Sequence, residues 1–330
     1  MSATTPCKKS WFYRNEVHNY RRHMSSELAS AARLKLWGVR GSIPVPGPDT
    51  VRYGGNTSCI EVRADGEIIV LDAGSGIRLL GIALEQEFGS RPINLTLLIT
   101  HVHWDHIQGF PFFVPSYNDK NKVHIFGYDS TDTGLRQILK GQMATPFFPV
   151  RLYDLPGKID IKKLDTMDFD IGRVHVRAKT MNHPGVCVGY RLFTSSGSIA
   201  FLPDTEPYDA FKLHSAKSRL LSPEQTRKRA EKERAALVEF LHGTDVLLLD
   251  TQYTDEEYHE HVGWGHGSLS SAVRLALDAH VRKLILFHHD PNHSDAVIDA
   301  MVESARKIVA NGAQRLEVEA ACEGAEISLS

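Results

Sequence analysis

Residues Leu95–Gly109, LTLLITHVHWDHIQG, decide how this chain is read. The first six are apolar or β-branched, the composition of a buried strand. They run straight into His101-Val102-His103-Trp104-Asp105-His106, so the strand ends on three histidines and an aspartate. Alternate residues at a strand end project to one side. His101 and His103 can therefore grip one ion while Asp105 and His106, in the following turn, face a second. Imidazole nitrogen with carboxylate oxygen is a ligand set that suits zinc, with manganese or iron as alternatives.

The same texture continues on both sides of this run. From Leu34 onward short β-type segments alternate with turns: LKLWGV, CIEVRA, EIIVLDAG, INLTLLIT, KVHIFG, then RVHVRAKTMNH and SIAFLPD, then DVLLLD and KLILFHH. Helical patterns cover Ile77–Phe88, Leu135–Met143, Pro223–Leu241, Leu269–Ala279 and Asp295–Asn311. Strand-then-helix alternation in both halves predicts sheets covered by helices, an α/β arrangement. Four strand runs end on a potential ligand, at Asp72, His101, Asp204 and His288, where a rigid scaffold can hold side chains to a metal's tolerance. Residues 1–33 lack this texture, apart from a short helical-looking run Glu27–Arg33, and read as an N-terminal extension to a domain spanning 34–330.

Composition narrows the partners. A formal net charge of -2 provides no global field toward nucleic acid or anionic lipid. No apolar run reaches signal-peptide or transmembrane length, so a cytoplasmic protein without membrane contact is expected. The four cysteines, Cys7, Cys59, Cys187 and Cys322, are far apart with no C-x-x-C pair, and read as reduced thiols.

THVHWDHIQG resembles the signature of the metallo-β-lactamase superfamily, and the other motifs follow in order from Leu34 to the C-terminus. The resemblance implies an αββα sandwich, two mixed β-sheets flanked by helices, around two divalent ions. Asp72 in VLDAGSG is similar to the aspartate that orients the metal loop without binding metal. His183 in MNHPG corresponds to the third imidazole of the first site. Asp204 in FLPDTE corresponds to the bridging carboxylate, and His288 in LFHHDP to the last ligand of the second site, with His289 the alternative by register. The implied sets are His101, His103 and His183 on one ion, Asp105, His106 and His288 on the other, and Asp204 between them.

LWGVRGSIPVPG followed by RYGGNTSCIEV is similar to the opening of the phosphodiesterase branch, which includes ribonuclease Z and cyclic-phosphate hydrolases. Arg40, Ser42, Asn56 and Ser58 are the candidate phosphate contacts there. His266 resembles the histidine that protonates the leaving alkoxide, although its triplet reads His266-Gly267-Ser268 instead of His-Ser-Thr. His266, with Asp105 and Asp72, completes the candidate catalytic set.

His183 and Asp204 are only 21 residues apart. The interval reads as a hairpin, leaving no room for the RNA-gripping arm of ribonuclease Z. The extra length, a helical insertion at about 206–243 containing Lys217, Arg219, Arg227, Lys228, Arg229, Lys232 and Arg234, alternates with glutamates as a solvated, salt-bridged helix does. The expected substrate is thus a small phosphodiester, a cyclic nucleotide of the cAMP or cGMP type. Ribonuclease Z-like RNA processing, and thioester, lactone or sulfate-ester hydrolysis, are the alternatives; a sensor that has lost catalysis is disfavoured by the intact ligand set. Of the aromatic residues near the motifs, Phe110–Phe113 and Trp264 are the candidate base-stacking surface. A homodimer is implied by resemblance alone.

Overall fold

A computed structural model describes residues 31–128, 134–208, 222–312 and 314–329. The first sheet is built from β1 (Arg33–Gly38), β2 (Cys59–Ala64), β3 (Glu67–Leu71), β4 (Asn94–Ile99), β5 (Lys122–Gly127), β6 (Lys158–Lys163) and, from the far end of the chain, β14 (Glu326–Ser328). Its order is β14-β1-β2-β3-β4-β5-β6. The second contains β7 (Asp168–Ile171), β8 (Val174–Thr180), β9 (Val188–Thr194), β10 (Gly197–Leu202), β11 (Val246–Asp250), β12 (Lys283–Phe287) and β13 (Glu317–Ala320), in the order β13-β12-β11-β10-β9-β8-β7. Each sheet is antiparallel on one side and parallel on the other: β3 to β6 run parallel, as do β10 to β13.

The parallel halves are apolar on both faces because both are covered. In β11, Val246 and Leu248 face the core between the sheets, while Leu247 and Leu249 face the outer helices. β12 alternates likewise, with Ile285 and Phe287 inward and Leu284 and Leu286 outward. The inner core joins Leu34, Ile60, Ile69 and Leu98 of one sheet to Val176, Tyr190, Phe201 and Leu248 of the other. Helix α1 (Ile77–Phe88) and α3 (Gly134–Gln142) cover the first sheet; between them lies the single turn α2 (Trp104–Ile107). Helix α4 (Pro223–Leu241), α6 (Leu269–Asp278) and α7 (Asp295–Ala310) cover the second, with the short α5 (Asp255–His261) before α6. The result is the expected four-layer sandwich.

Several expected elements take a different form. Lys158–Lys163, directly after Gly157, is an edge strand whose charged residues hide its β character from an apolar pattern. β7, β13, β14 and α5 are likewise additional to the expected elements. Of the run Glu27–Arg33, residues 27–30 lie outside the described residues and Arg33 starts a strand, not a helix turn. Cys59 and Cys187 are buried free thiols; Cys322 is disulfide-bonded, which corrects the reading of four reduced cysteines. Among the described residues no helix is long and apolar enough to cross a membrane.

Candidate metal centre

The carboxyl ends of β3, β4, β10, β11 and β12 meet along one rim, the place where open α/β sheets bind ligands. Asp72 follows β3, His101 follows β4, Asp204 follows β10, Asp250 ends β11 and His288 follows β12. Asp72 and His288 sit at φ 61°, in the left-handed region that non-glycine residues enter at a cost.

Three overlapping donor groups form among the described residues, one of them joining Asp204, His266 and His288. His101, His103, His183 and Asp204 bring one ligand atom each into a common cluster, as do Asp105, His106 and His288. Asp204 faces both. Its Oδ1 lies 3.1 Å from His106 Nε2 and 3.3 Å from His288 Nε2, while its Oδ2 lies 3.6 Å from His101 Nε2 and 3.8 Å from His183 Nε2. A carboxylate so placed offers one oxygen to each group. Asp105 Oδ2 lies 3.1 Å from His106 Nε2 and 3.2 Å from His288 Nε2.

Three of the ligand rings commit Nδ1 outward, which leaves their inward Nε2 atoms as lone pairs. His106 Nδ1 donates to Asp72 Oδ2 at 2.7 Å, His288 Nδ1 to Gln252 Oε1 at 2.9 Å, and His183 Nδ1 to the Gly265 carbonyl at 2.9 Å. Asp72 in turn accepts from the Thr100 amide at 2.8 Å and from the Ser58 hydroxyl at 3.0 Å. Asp72 therefore orients His106 and the loop start without pointing into the cluster. Two glycines make room for ligand rings: a Cβ on Gly41 would stand 2.4 Å from His288 Nδ1, and one on Gly265 2.4 Å from His183 Nδ1.

The cluster fits divalent cations. His101 Nε2, His106 Nε2 and Asp204 Oδ1 are buried and make no hydrogen bond, a cost native structures rarely bear without a partner. Burial holds His101 well below the ordinary histidine range and His183 down to about 4, the neutral form that ligates metal. His106 is the exception: burial opposes its charge, but Asp105, Asp204 and Asp72 outweigh it and raise its pKa. Three buried carboxylates around one ring demand positive charge, which a cation supplies.

Beside the cluster, His266 donates through Nδ1 to Asp250 Oδ2 at 3.0 Å, and its ring stacks on His288 with centroids 5.0 Å apart. Burial lowers the affinity of His266 for a proton, yet the neighbouring Asp250, Asp204 and Asp105 raise its pKa to about 9. Asp250 and Gln252 escaped the sequence reading. The signal for Asp250 was present, since DVLLLD ends on an aspartate as VLD and FLPD do.

The register at the second site is resolved by orientation: His288 points at Asp105 and Asp204, while His289 Nε2 donates to the Ala321 carbonyl at 2.9 Å. The proposed phosphate contacts fare differently. Arg40 is fully buried and donates to the carbonyls of Gly54, Asp290 and His293, so it clamps loops together instead of facing the cluster. Ser58 is buried against Asp72, and Asn56 is bonded to Glu323 and Ser75. Ser42 reaches the site by its backbone amide, 2.8 Å from Asp105 Oδ2, with its side chain exposed. Phe110 and Phe113 are buried in the core, which removes them as stacking surfaces; Phe112 and Trp264 remain exposed. In α4, Arg227 pairs with Glu231 and Lys228 with Glu224, as a solvated helix would have it; Lys217 and Arg219 lie outside the described residues.

The model of the beta-lactamase superfamily domain matches residues 68–289, and the chain belongs to that superfamily. It is a metal-dependent hydrolase. Its likeness within the superfamily is to the ribonuclease Z branch: a protein named Ribonuclease Z from Thermoplasma acidophilum is 24% identical over 310 residues, covering 85% of this chain and 92% of the relative. Among solved structures, the metallo-β-lactamase fold protein YhfI from Bacillus subtilis superimposes with a TM-score of 0.61 at 17% identity, covering 90% of this chain and 99% of YhfI. The short form of human tRNase Z gives 0.56 at 18% identity, covering 90% of this chain and 99% of that structure. These identities speak for the fold alone.

Proposed function

We propose that this chain is a two-metal phosphodiesterase that cleaves RNA, with His266 as the general acid. The observation carrying the chemistry is the His266–Asp250 pair lying against a cluster in which Asp204 divides its oxygens between two donor groups. Two ions of zinc, manganese or iron held by His101, His103 and His183 and by Asp105, His106 and His288 would supply an activated water and stabilise the entering and leaving oxygens. The chain's own residues do the rest. Asp204 spans the two groups, Asp72 and Gln252 fix the rings of His106 and His288, and the Ser42 amide orients Asp105. Asp250 holds the His266 Nδ1 proton, which leaves Nε2 as the nitrogen to protonate the departing ribose oxygen, a poor leaving group at neutral pH. The relatives support RNA over the cyclic nucleotide expected from sequence.

Cyclic nucleotides remain a second reading for one reason. The interval from His183 to Asp204 is occupied by the β9–β10 hairpin, so no extended arm leaves the fold there. A homodimer in the cytoplasm belongs to the same proposal and is checked by sedimentation. The deciding experiment offers the zinc- and manganese-loaded protein a precursor tRNA with a 3′ trailer, a single-stranded RNA and 3′,5′-cyclic nucleotides. Endonucleolytic RNA cleavage is expected. Hydrolysis of cyclic nucleotides alone would install the second reading, and inertness toward all three together with bis-p-nitrophenyl phosphate would remove phosphodiester chemistry altogether.

A further inference from the structure

Two large indoles stand in solvent beside the metal cluster. Trp104 is 75% exposed and Trp264 61% exposed, although most other large apolar side chains among the described residues are buried. Both are anchored through the ligands themselves. Trp104 directly follows His103, whose Nδ1 lies 3.1 Å from His183 Nε2; His183 Nδ1 donates to the carbonyl of Gly265, the residue after Trp264. The sequence of contacts Trp104–His103···His183···Gly265–Trp264 ties both tryptophans, as chain neighbours of His103 and Gly265, to the first donor group.

Neither position is a loose loop. Trp104 opens α2, and its carbonyl accepts from the Gln108 amide at 2.7 Å. The Trp264 amide donates to the His261 carbonyl, and its ring packs edge-on to His261 with centroids 4.8 Å apart. His261 stacks in turn on buried Tyr253, centroids 4.4 Å apart and planes within 19°. An exposed indole held by an ordered aromatic stack offers a preformed π-face at little entropic cost.

We propose that Trp104 and Trp264 are a pair of nucleobase platforms that receive unpaired bases on either side of the bond presented to the metal cluster. The inference rests on the phosphodiesterase reading and names how its substrate is gripped. Stacking on aromatic faces is the sequence-tolerant way proteins hold single strands, because every base has a π-face. It also suits the chain's charge: a formal net charge of -2 supplies no global positive field to hold a strand. Two platforms require two bases, which a strand has and a cyclic mononucleotide lacks.

The test measures binding of metal-loaded protein to a short phosphorothioate RNA, to an abasic strand of equal length, and to cyclic AMP, by quenching of indole fluorescence and by calorimetry. Trp104→Ala and Trp264→Ala are each expected to weaken RNA binding about tenfold, the scale of one lost base stack, while affinity for the abasic strand moves less than about twofold. Equal losses on RNA and abasic strand would mean the indoles only support the site, and unchanged RNA binding would mean they do not touch bases; either overturns the inference. Dependence of cyclic AMP binding on one tryptophan, with RNA not bound at all, would also overturn the paired platform. Base-dependent RNA binding through both indoles by a protein that hydrolyses no RNA would sustain the inference and defeat the catalytic reading.

Discussion

Replacing Arg40 by lysine separates a structural clamp from a phosphate contact. The guanidinium is fully buried. Its Nε donates to the Gly54 carbonyl at 2.8 Å, and Nη1 donates to the Asp290 carbonyl at 3.0 Å and the His293 carbonyl at 2.7 Å. These bonds tie the glycine-rich loop after β1 to the loop after His288, joining segments some 250 residues apart in the chain. Lysine keeps the charge but loses the planar fork: its ammonium can stand in for Nη1 toward the Asp290 and His293 carbonyls but leaves the Nε bond to Gly54 unmade. The Gly54 carbonyl then stands without its donor at about 1–3 kcal/mol, so Arg40→Lys should destabilise by about 2 kcal/mol. That is a large share of the roughly 5–15 kcal/mol that holds a typical domain together. Urea unfolding of the metal-loaded variant should show a lower midpoint with unchanged slope. KM measured under folded conditions should stay near wild type. A wild-type midpoint combined with a tenfold rise in KM would refute the clamp and restore Arg40 as a phosphate ligand.

Chelation should abolish turnover and lower Tm, because the orphaned atoms of His101, His106 and Asp204 lose their partners; re-adding metal at about 100 times its Kd should recover about 2.7 kcal/mol, read by calorimetry. Asp204→Asn replaces one of the two shared oxygens with an amide donor, so metal content should drop from two ions per chain toward one by elemental analysis. Asp250→Asn should reduce kcat at least about tenfold at neutral pH. The sign of its pH effect is set by His266, whose acid form exists below its raised pKa and is lost as pH rises through about 9. Removing the carboxylate lowers that pKa, so the alkaline limb of the rate profile should move to lower pH; an unmoved limb would exclude His266 as the acid. If His266→Ala turned over a thioester or lactone almost as well as wild type, a substrate with a better leaving group would be indicated.

The metal ligands were legible because each sits where a strand pattern stops: LLIT before His101, FLPD with Asp204, LFH with His288. Strand-then-helix alternation also showed that the sheets are covered by helices. Arg40, Asn56 and Ser58 misled for a physical reason. Polar residues in a glycine-rich loop look available to a ligand, yet their partners are Asp290, Glu323 and Asp72, and contacts that distant leave no local mark. The alternation of charge along Lys158–Lys163 likewise concealed an edge strand, since edges favour lysine to discourage further pairing. Gln252 had no local signal at all: its role depends on the left-handed turn at His288 bringing an imidazole beneath it.

The division of ligands between the two sheets has a consequence for the life of the chain. His101, His103, Asp105 and His106 emerge early in synthesis, while His183, Asp204, His266 and finally His288 follow over the next 180 or so residues. Among the described residues no donor group is complete without a residue from the later half. A growing or truncated polypeptide therefore carries metal-seeking side chains but no hydrolytic centre, and the ions can only close the structure after both sheets have met. Activity would thus report completed folding, and ions held by these residues would fasten segments of a long-range topology whose closure is entropically slow.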